Sequence, residues 1–192
     1  MALPTLVVVS GGPGTGKTTL AHRLAQDLGC PAVVRDEIKQ GMVLATPGYR
    51  GGGADPLNLP TLGAFFGVLR LLLLEAGVTA VAEAAFQDKV WRPNLEPLTA
   101  LADIRVVRCT VDSEIARERI VQRVEHGHRA AHGDRDLLEA IAAGRHSLDS
   151  YVPLRMDLPT LIVDTSDGYR PALADIAAFA RRAAPAQELS EG

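Results

Sequence analysis

Cysteine and surplus positive charge are both scarce in this sequence. Its two cysteines, Cys30 and Cys109, stand in no spacing typical of a metal site, and each precedes or falls within an apparent strand. We therefore expect buried, reduced thiols in a cytoplasmic protein. With 20 Lys and Arg against 23 Asp and Glu, the formal net charge is −3. This charge disfavours a dedicated nucleic-acid-binding protein, because such proteins usually carry excess positive charge.

Long hydrophobic runs and targeting signals are lacking as well. The apolar stretch over residues 69–74 contains Arg70, is followed by Glu75, and is too short to span a bilayer. The N-terminal residues lead almost directly into a strand, without a charged region and a cleavage site. No internal repeat is visible. We expect neither membrane insertion nor a solenoid architecture.

Length and composition fit one soluble globular domain. The chain has 192 residues, of which 47% are hydrophobic and 22% charged, enough for a core of ordinary size. We predict a single domain over residues 1–185 and a loose tail over 186–192, because chain ends are commonly poorly ordered. Nothing in the composition predicts the oligomeric state.

A glycine-rich loop between a strand and a helix dominates what the sequence does contain. Residues 11–18 fit G-x-x-x-x-G-K-[ST], the phosphate-binding P-loop, whereas the glycines do not fit the dinucleotide pattern G-x-G-x-x-G. Residues 5–9 predict a buried strand before the loop, and residues 19–25 predict a helix after it. Glycines allow backbone N–H groups to surround phosphate oxygens, and the helix dipole favours the same anion.

The loop assigns specific roles to its residues. The predicted nucleotide-binding residues are Gly12, Pro13, Gly14, Thr15, Gly16, Lys17, Thr18 and Thr19. Lys17 is expected to contact the outer phosphates of ATP, and the Thr18 hydroxyl is placed to ligate Mg²⁺. The alternative is a glycine-rich turn that contains a lysine by chance.

Strand and helix patterns alternate along the rest of the chain. Further strands are predicted at 32–34, 78–83, 104–109 and 161–164, and helices from about 36 onward and over 62–76, 90–101, 113–125, 136–146 and 172–184. This alternation predicts an α/β protein with the P-loop NTPase fold, in which a five-stranded parallel sheet has helices on both faces. A polar segment over about 124–135 is predicted to form a small lid.

Three residues should meet at the carboxyl edge of that sheet, where ligands bind in such folds. Asp36 follows the second strand and is predicted to be a general base that takes the proton of an alcohol; its alternative role is an N-cap. Lys39 lies one turn further on, where it pairs with Asp36, holds an anionic substrate group, or is simply exposed. Glu83 ends an apolar strand. It orients a Mg²⁺-bound water, holds a substrate hydroxyl, or reaches solvent.

Two irregular segments are predicted to move over this edge. Residues 45–60 form a glycine- and proline-rich loop, in which Tyr49 and Arg50 are candidate acceptor-binding residues. In the lid, Arg123 and Arg129 are the candidates to neutralise charge on the transferring phosphate. The lid histidines are His126, His128 and His132; their spacing without acidic or cysteine neighbours argues against a metal site.

Taken together, residues 9–21 and 34–39 resemble the P-loop kinases that phosphorylate hydroxyl groups. This group includes chloramphenicol phosphotransferase, zeta toxin and the kinase domain of polynucleotide kinase. The resemblance implies the general-base role for Asp36, a sugar-holding role for an acid near Glu83, and lid positions for Arg123 and Arg129. Polynucleotide kinases carry D-x-x-R at the base, whereas this chain has Lys39 in place of the arginine.

The sequence therefore predicts an ATP- and Mg²⁺-dependent kinase that phosphorylates a hydroxyl group of a small molecule such as an antibiotic, sugar or nucleoside. One alternative is a kinase acting on a polynucleotide 5′-hydroxyl or on a nucleotide. Another is a P-loop nucleotide-binding module that transfers no phosphate. Asp36 argues against the module because a sensor needs no base, and the acidic balance argues against the polynucleotide.

Overall fold

A parallel sheet of five strands forms the centre of the molecule. The computed structural model describes residues 3–49, 55–126 and 133–182. The strands are β1 (Thr5–Ser10), β2 (Ala32–Val34), β3 (Ala80–Glu83), β4 (Asp103–Thr110) and β5 (Thr160–Asp164). They pair in the order β2-β3-β1-β4-β5, and all four pairings are parallel. The predicted α/β fold with a five-stranded parallel sheet is confirmed.

Seven α-helices accompany these strands in the described part of the chain. They are α1 (Lys17–Leu28), α2 (Arg35–Leu44), α3 (Asn58–Arg70), α4 (Asp88–Leu95), α5 (Ser113–His126), α6 (Asp134–Ala142) and α7 (Leu173–Arg181). A π-helical turn, Leu71–Glu75, follows α3, and 3₁₀ turns cover Glu96–Ala100 and Leu148–Ser150.

The two faces of the sheet are buried by different helices. On one face, valines of β1 and β4 pack against α1 and α7. On the other face, an aromatic group from α3, α4 and the segment after β3 covers the strands. Phe65 and Phe86 of this group are fully buried, and the Phe86 and Trp91 ring centroids are 4.8 Å apart. Both faces being covered explains why the strands read as continuous apolar runs.

Helix α3 and the turn after it are unusually apolar. Asn58–Glu75 is long and apolar enough by length and composition to cross a membrane, and 28% of it is buried inside the molecule. Phe65, Phe66, Leu69 and Leu73 form its buried side within the main core. A core helix of a globular domain passes the same test, so the composition alone gives little weight to a membrane role.

Two predicted helices have different bounds in the structure. Helix α3 begins at Asn58, before the predicted start at residue 62, so the irregular segment that precedes it is shorter than predicted. The helix predicted over 90–101 instead begins at Asp88 and gives way to a 3₁₀ turn at Glu96. Pro97 lies in the first turn of that element. Backbone N–H groups in a first turn have no partner within the helix, so the N–H that proline lacks costs no hydrogen bond.

Candidate functional site

The loop over residues 11–16 is held tightly against its neighbours by its glycines. Gly14 and Gly16 have φ angles of 76° and 72°, a left-handed conformation that side chains disfavour. A Cβ atom on Gly14 would lie 2.5 Å from the carbonyl oxygen of Ala116 in α5. Only glycine can therefore bring the loop this close to α5, which leaves its backbone N–H groups and the start of α1 open to an anion.

Lys17 begins α1 and folds back over the loop. Its Nζ donates a hydrogen bond to the Gly12 carbonyl oxygen at 2.8 Å, and the Thr15 hydroxyl donates to the same oxygen at 2.9 Å. These bonds hold the loop in a cradle around the ammonium group. The arrangement can place a positive charge beside bound phosphate oxygens.

Thr18 and Glu83 meet across the start of α1 and the end of β3. The Thr18 hydroxyl donates to Glu83 Oε2 at 2.9 Å, and Glu83 is only 4% exposed. The alternative that Glu83 reaches solvent is wrong. Burial raises the pKa of the Glu83 carboxyl, and the positive charge of Lys17 and the hydrogen bond from Thr18 oppose that rise.

These two oxygens are the donors available for a hard cation at the site. Mg²⁺ binds few protein oxygens and keeps substrate phosphates and water as its other ligands. Thr18 and Glu83 fit that requirement. Among the residues that the structure describes, no group of three or more His, Cys, Asp or Glu side chains could hold a metal by itself.

Replacing Glu83 by glutamine is expected to stabilise the nucleotide-free protein at pH 7, raising Tm by a few degrees. A buried carboxyl whose folded-state pKa exceeds its ordinary value of 4.5 binds more protons when folded. Stability therefore falls as pH rises from 4.5 toward the folded-state pKa, and the loss is complete above that pKa. Glutamine carries no charge and avoids this loss.

Thermal melts of wild type and Glu83→Gln between pH 4 and pH 8 test this expectation. The Tm difference should shrink towards pH 4, and Glu118→Gln, which changes an exposed acid on α5, should show no such trend. A variant that is less stable than wild type at pH 7 would mean that the Thr18 contact outweighs the cost of burying the charge.

A cleft of about 920 Å³ opens in front of the glycine-rich loop. Its lining includes Lys17, Thr18 and Thr19 from α1, and Arg119 and Arg123 from α5. Tyr169 closes the cleft on the β5 side, with the Arg23 guanidinium 5.8 Å from its ring centroid. The cleft is large enough for a nucleotide, and both aromatic and cationic side chains line it.

Arg119 joins the loop to the segment after β5, a role that the sequence did not reveal. Its Nη2 donates to the carbonyl oxygens of Thr165 (2.6 Å) and Ser166 (3.2 Å), and its Nη1 reaches the Gly14 carbonyl oxygen at 3.4 Å. The buried Thr165 hydroxyl also donates to the Thr15 carbonyl oxygen at 2.9 Å. These contacts connect residues that lie 46, 47, 105 and 150 positions apart, and no local pattern signals them.

Asp36 lies inside the first turn of α2 and not at its N-cap. Val34 is the N-cap residue, so the alternative capping role of Asp36 is wrong. Arg35 Nη1 donates to Asp36 Oδ1 at 2.8 Å, and the Asp36 side chain is 31% exposed. The negative charge of Asp36 contributes to the raised pKa of Glu83, so the two carboxylates lie within electrostatic reach of each other.

Lys39 is buried and paired, but its partner is an acid that the sequence did not single out. Its Nζ forms an ion pair with Asp55 Oδ2, and the two side chains are 8% and 9% exposed. The Tyr49 hydroxyl donates to the same carboxylate oxygen at 2.7 Å. Of the open alternatives for Lys39, the exposed lysine is wrong, and the other two stay predictions.

The described part of the lid contains one of the two candidate arginines. Arg123 Nη2 contacts Asp134 Oδ1 at 2.9 Å, and both residues line the cleft. Arg129, His128 and His132 lie outside the described residues, as does Arg50 of the other irregular segment. Their predicted roles stay predictions.

Comparison with known proteins gives a family and a curated relative for this chain. Residues 6–148 match the family described as AAA domain. An uncharacterized protein of Mycobacterium tuberculosis is 28% identical in an alignment 147 residues long, which covers 72% of this chain. The chain spans only 28% of the length of that relative.

Solved structures share the fold. A Chloroflexus aurantiacus protein described as a candidate kinase superposes with a TM-score of 0.77 and 23% identity, covering 95% of this chain and all of that one. The APS kinase CysC of Mycobacterium tuberculosis, solved with AMPPNP and APS, gives a TM-score of 0.62 at 16% identity and covers 93% of this chain and 98% of its own. The fold of this chain is therefore shared with proteins described as kinases.

Proposed function

Because the chain belongs to the AAA domain family, we propose that it is an ATP- and Mg²⁺-dependent kinase that transfers the γ-phosphate to a hydroxyl group of a small molecule. The observation that carries the proposal is Asp36. It is a partly exposed carboxylate directly after β2, it does not cap its helix, and it lies near the acid that contacts the P-loop threonine. A module that only binds nucleotide has no need of this carboxylate.

The proposed reaction divides its work among residues already described. Asp36 accepts the proton of the acceptor hydroxyl as its oxygen attacks the γ-phosphorus, and the bond to the β–γ bridging oxygen breaks to leave ADP. Lys17 and the loop amides stabilise the negative charge on the phosphate oxygens. Thr18 and Glu83 would hold Mg²⁺, which would supply positive charge to neutralise the phosphate oxygens.

Arg119, Tyr169 and the P-loop residues from Gly12 to Thr19 are the proposed nucleotide-binding group. The family resemblance drawn from the sequence, to chloramphenicol phosphotransferase, zeta toxin and polynucleotide kinase, supports a hydroxyl acceptor and remains part of this proposal. A kinase acting on nucleotides or on a polynucleotide 5′-hydroxyl is the second candidate. The net charge of −3 favours the small molecule over the polynucleotide.

A screen of ATP consumption against a panel of hydroxyl compounds tests the proposal. Sugars, sugar alcohols, nucleosides and hydroxyl-bearing antibiotics are supplied with MgATP, and phosphorylated product is detected by mass spectrometry. We expect product with at least one compound class, formed at least about 100-fold more slowly by Asp36→Asn. A protein that binds ATP yet phosphorylates no member of the panel would favour the nucleotide-binding module.

Changing Arg123 to alanine is expected to lower kcat by roughly 10²-fold, the scale for losing one charge-stabilising donor, while the KM for ATP changes little. The reason is that its contact with the transferring phosphate strengthens in the transition state. Arg117→Ala, an exposed arginine on the same helix, is the matched control. Equal kcat values in the two variants would remove Arg123 from the reaction.

A further inference from the structure

An ion pair between two helices lines the cleft in front of the P-loop. Arg123 Nη2 of α5 donates to Asp134 Oδ1 of α6 at 2.9 Å, and both residues belong to the cleft lining. The Arg123 side chain is 42% exposed, whereas that of Asp134 is only 10% exposed. The carboxylate is therefore the anchored member of the pair, and the guanidinium is the member that remains accessible.

Arg123 stands one helical turn beyond Arg119, on the same side of α5. Arg119 Nη1 reaches the Gly14 carbonyl oxygen of the P-loop at 3.4 Å, and its Nη2 donates to two carbonyl oxygens after β5. Four residues of helix correspond to about 6 Å, so Arg123 follows directly on a residue that contacts the loop. Both arginines line the same cleft, which brings Arg123 into the neighbourhood of bound phosphates.

A guanidinium group can bind two anions at once. It carries five N–H donors in a rigid plane. Among the residues that the structure describes, Nη2 is the one nitrogen of Arg123 that donates to a protein oxygen. Nε and Nη1 thus stay available for phosphate oxygens while Asp134 is bound. The charge-assisted bond to Asp134 also restricts a long side chain that would otherwise sample many rotamers.

We infer that Asp134 is a positioning residue for phosphate transfer, because it holds the Arg123 guanidinium with Nε and Nη1 free for the transferring phosphate. The inference rests on the proposed kinase activity and deepens it. The alternative is that Asp134 only links α5 to α6 and favours the start of its own helix, as acids in a first turn do. That role affects stability and leaves the transition state unchanged.

Replacing Asp134 by alanine separates the two roles. We expect kcat to fall by roughly tenfold or more with little change in the KM for ATP, because displacing a catalytic group by about 1 Å can cost up to about 10²-fold. Asp136, a second and exposed acid in the first turn of α6, provides the control. Asp136→Ala should keep wild-type kcat. Asp134→Glu retains the carboxylate and should recover part of the activity.

A double variant tests whether Asp134 acts through Arg123. Once Arg123 is alanine, the further change Asp134→Ala should cost almost nothing, because no guanidinium is left to position. Independent losses that multiply in the double variant would overturn the inference. So would a higher kcat in Asp134→Ala, which would mean that Asp134 restrains Arg123, or a lower Tm with unchanged kcat, which would make the pair a structural link.

A binding measurement keeps the test independent of turnover. MgADP with aluminium fluoride, a mimic of the phosphoryl group in transfer, is titrated while the thermal midpoint is recorded, with MgADP alone as the reference. We expect Asp134→Ala and Arg123→Ala to weaken the aluminium fluoride complex alike and to leave MgADP binding unchanged, whereas Asp136→Ala matches wild type.

Two outcomes of this titration would overturn the inference. One is wild-type binding of aluminium fluoride by Asp134→Ala. The other is wild-type binding by Arg123→Ala, because Asp134 would then have no phosphate contact to position. If the expected binding results are obtained but no acceptor is phosphorylated, the proposed kinase activity fails while the positioning role of Asp134 stands.

Discussion

Replacing Asp36 by asparagine should lower kcat for phosphate transfer by about 10²–10⁴, the usual contribution of a general base. Asparagine has nearly the same size and keeps an oxygen that can accept the bond from Arg35, which is 2.8 Å from the present carboxylate. It cannot take up the acceptor proton. Because Asp36 does not cap its helix, the substitution should leave Tm and ATP affinity close to wild type.

Glu37 provides the matched control for this prediction. It is the next residue on α2, lines the cleft and contacts His22 Nε2 at 2.8 Å across the helix interface. Glu37→Gln removes one negative charge from the same turn and should retain most of the activity. If Glu37→Gln lost activity and Asp36→Asn did not, Glu37 and not Asp36 would be the base. If the loss in Asp36→Asn were explained wholly by a lower Tm, Asp36 would be a structural residue.

Replacing Lys17 by alanine should reduce turnover by roughly 10²–10³-fold or more, the scale for losing one preorganised charge-stabilising donor. The fold should survive, because the ammonium group bonds to a loop carbonyl and is not part of the apolar core. Lys17→Met, which keeps the aliphatic stem, should show the same loss. The measurements are turnover and the stabilisation by MgATP of the thermal midpoint.

Lys89, an exposed residue of α4, gives the control for a lost lysine charge. Lys89→Ala should retain wild-type turnover and the same nucleotide-dependent rise in Tm. Undiminished turnover in Lys17→Ala would remove the P-loop from the mechanism, whatever the effect on nucleotide binding.

The parts of this site that could be predicted from sequence are those encoded within a few neighbouring residues. The glycine-rich loop, with Lys17 and Thr18 at its end, is set by backbone conformations that only glycine adopts easily. The parallel sheet followed from strand and helix patterns that alternate. Asp36 and Glu83 stood out because parallel strands bring their carboxyl ends to one edge.

What the sequence could not reveal depends on contacts between distant residues. Asp55 lies 16 positions from Lys39 in an irregular segment, and nothing local marks it as the partner of a buried lysine. Arg119 stands in a charged helix where no local pattern singles it out, yet its guanidinium bonds to the segment after β5. Helix ends were also misjudged, because tertiary packing and proline placement decide where α3 and α4 begin and end.

Because Gly14 lies so close to Ala116, a change in the P-loop backbone would be passed directly to α5. Arg123 lies seven residues beyond Ala116 on that helix, which at 1.5 Å per residue is about 10 Å from the contact. A tilt of about 10° around the contact would therefore carry the Arg123 backbone roughly 2 Å, enough to break a hydrogen bond at one place and form it at another. A small shift of the loop at Gly14 would therefore be enough to change the hydrogen-bond partner of Arg123.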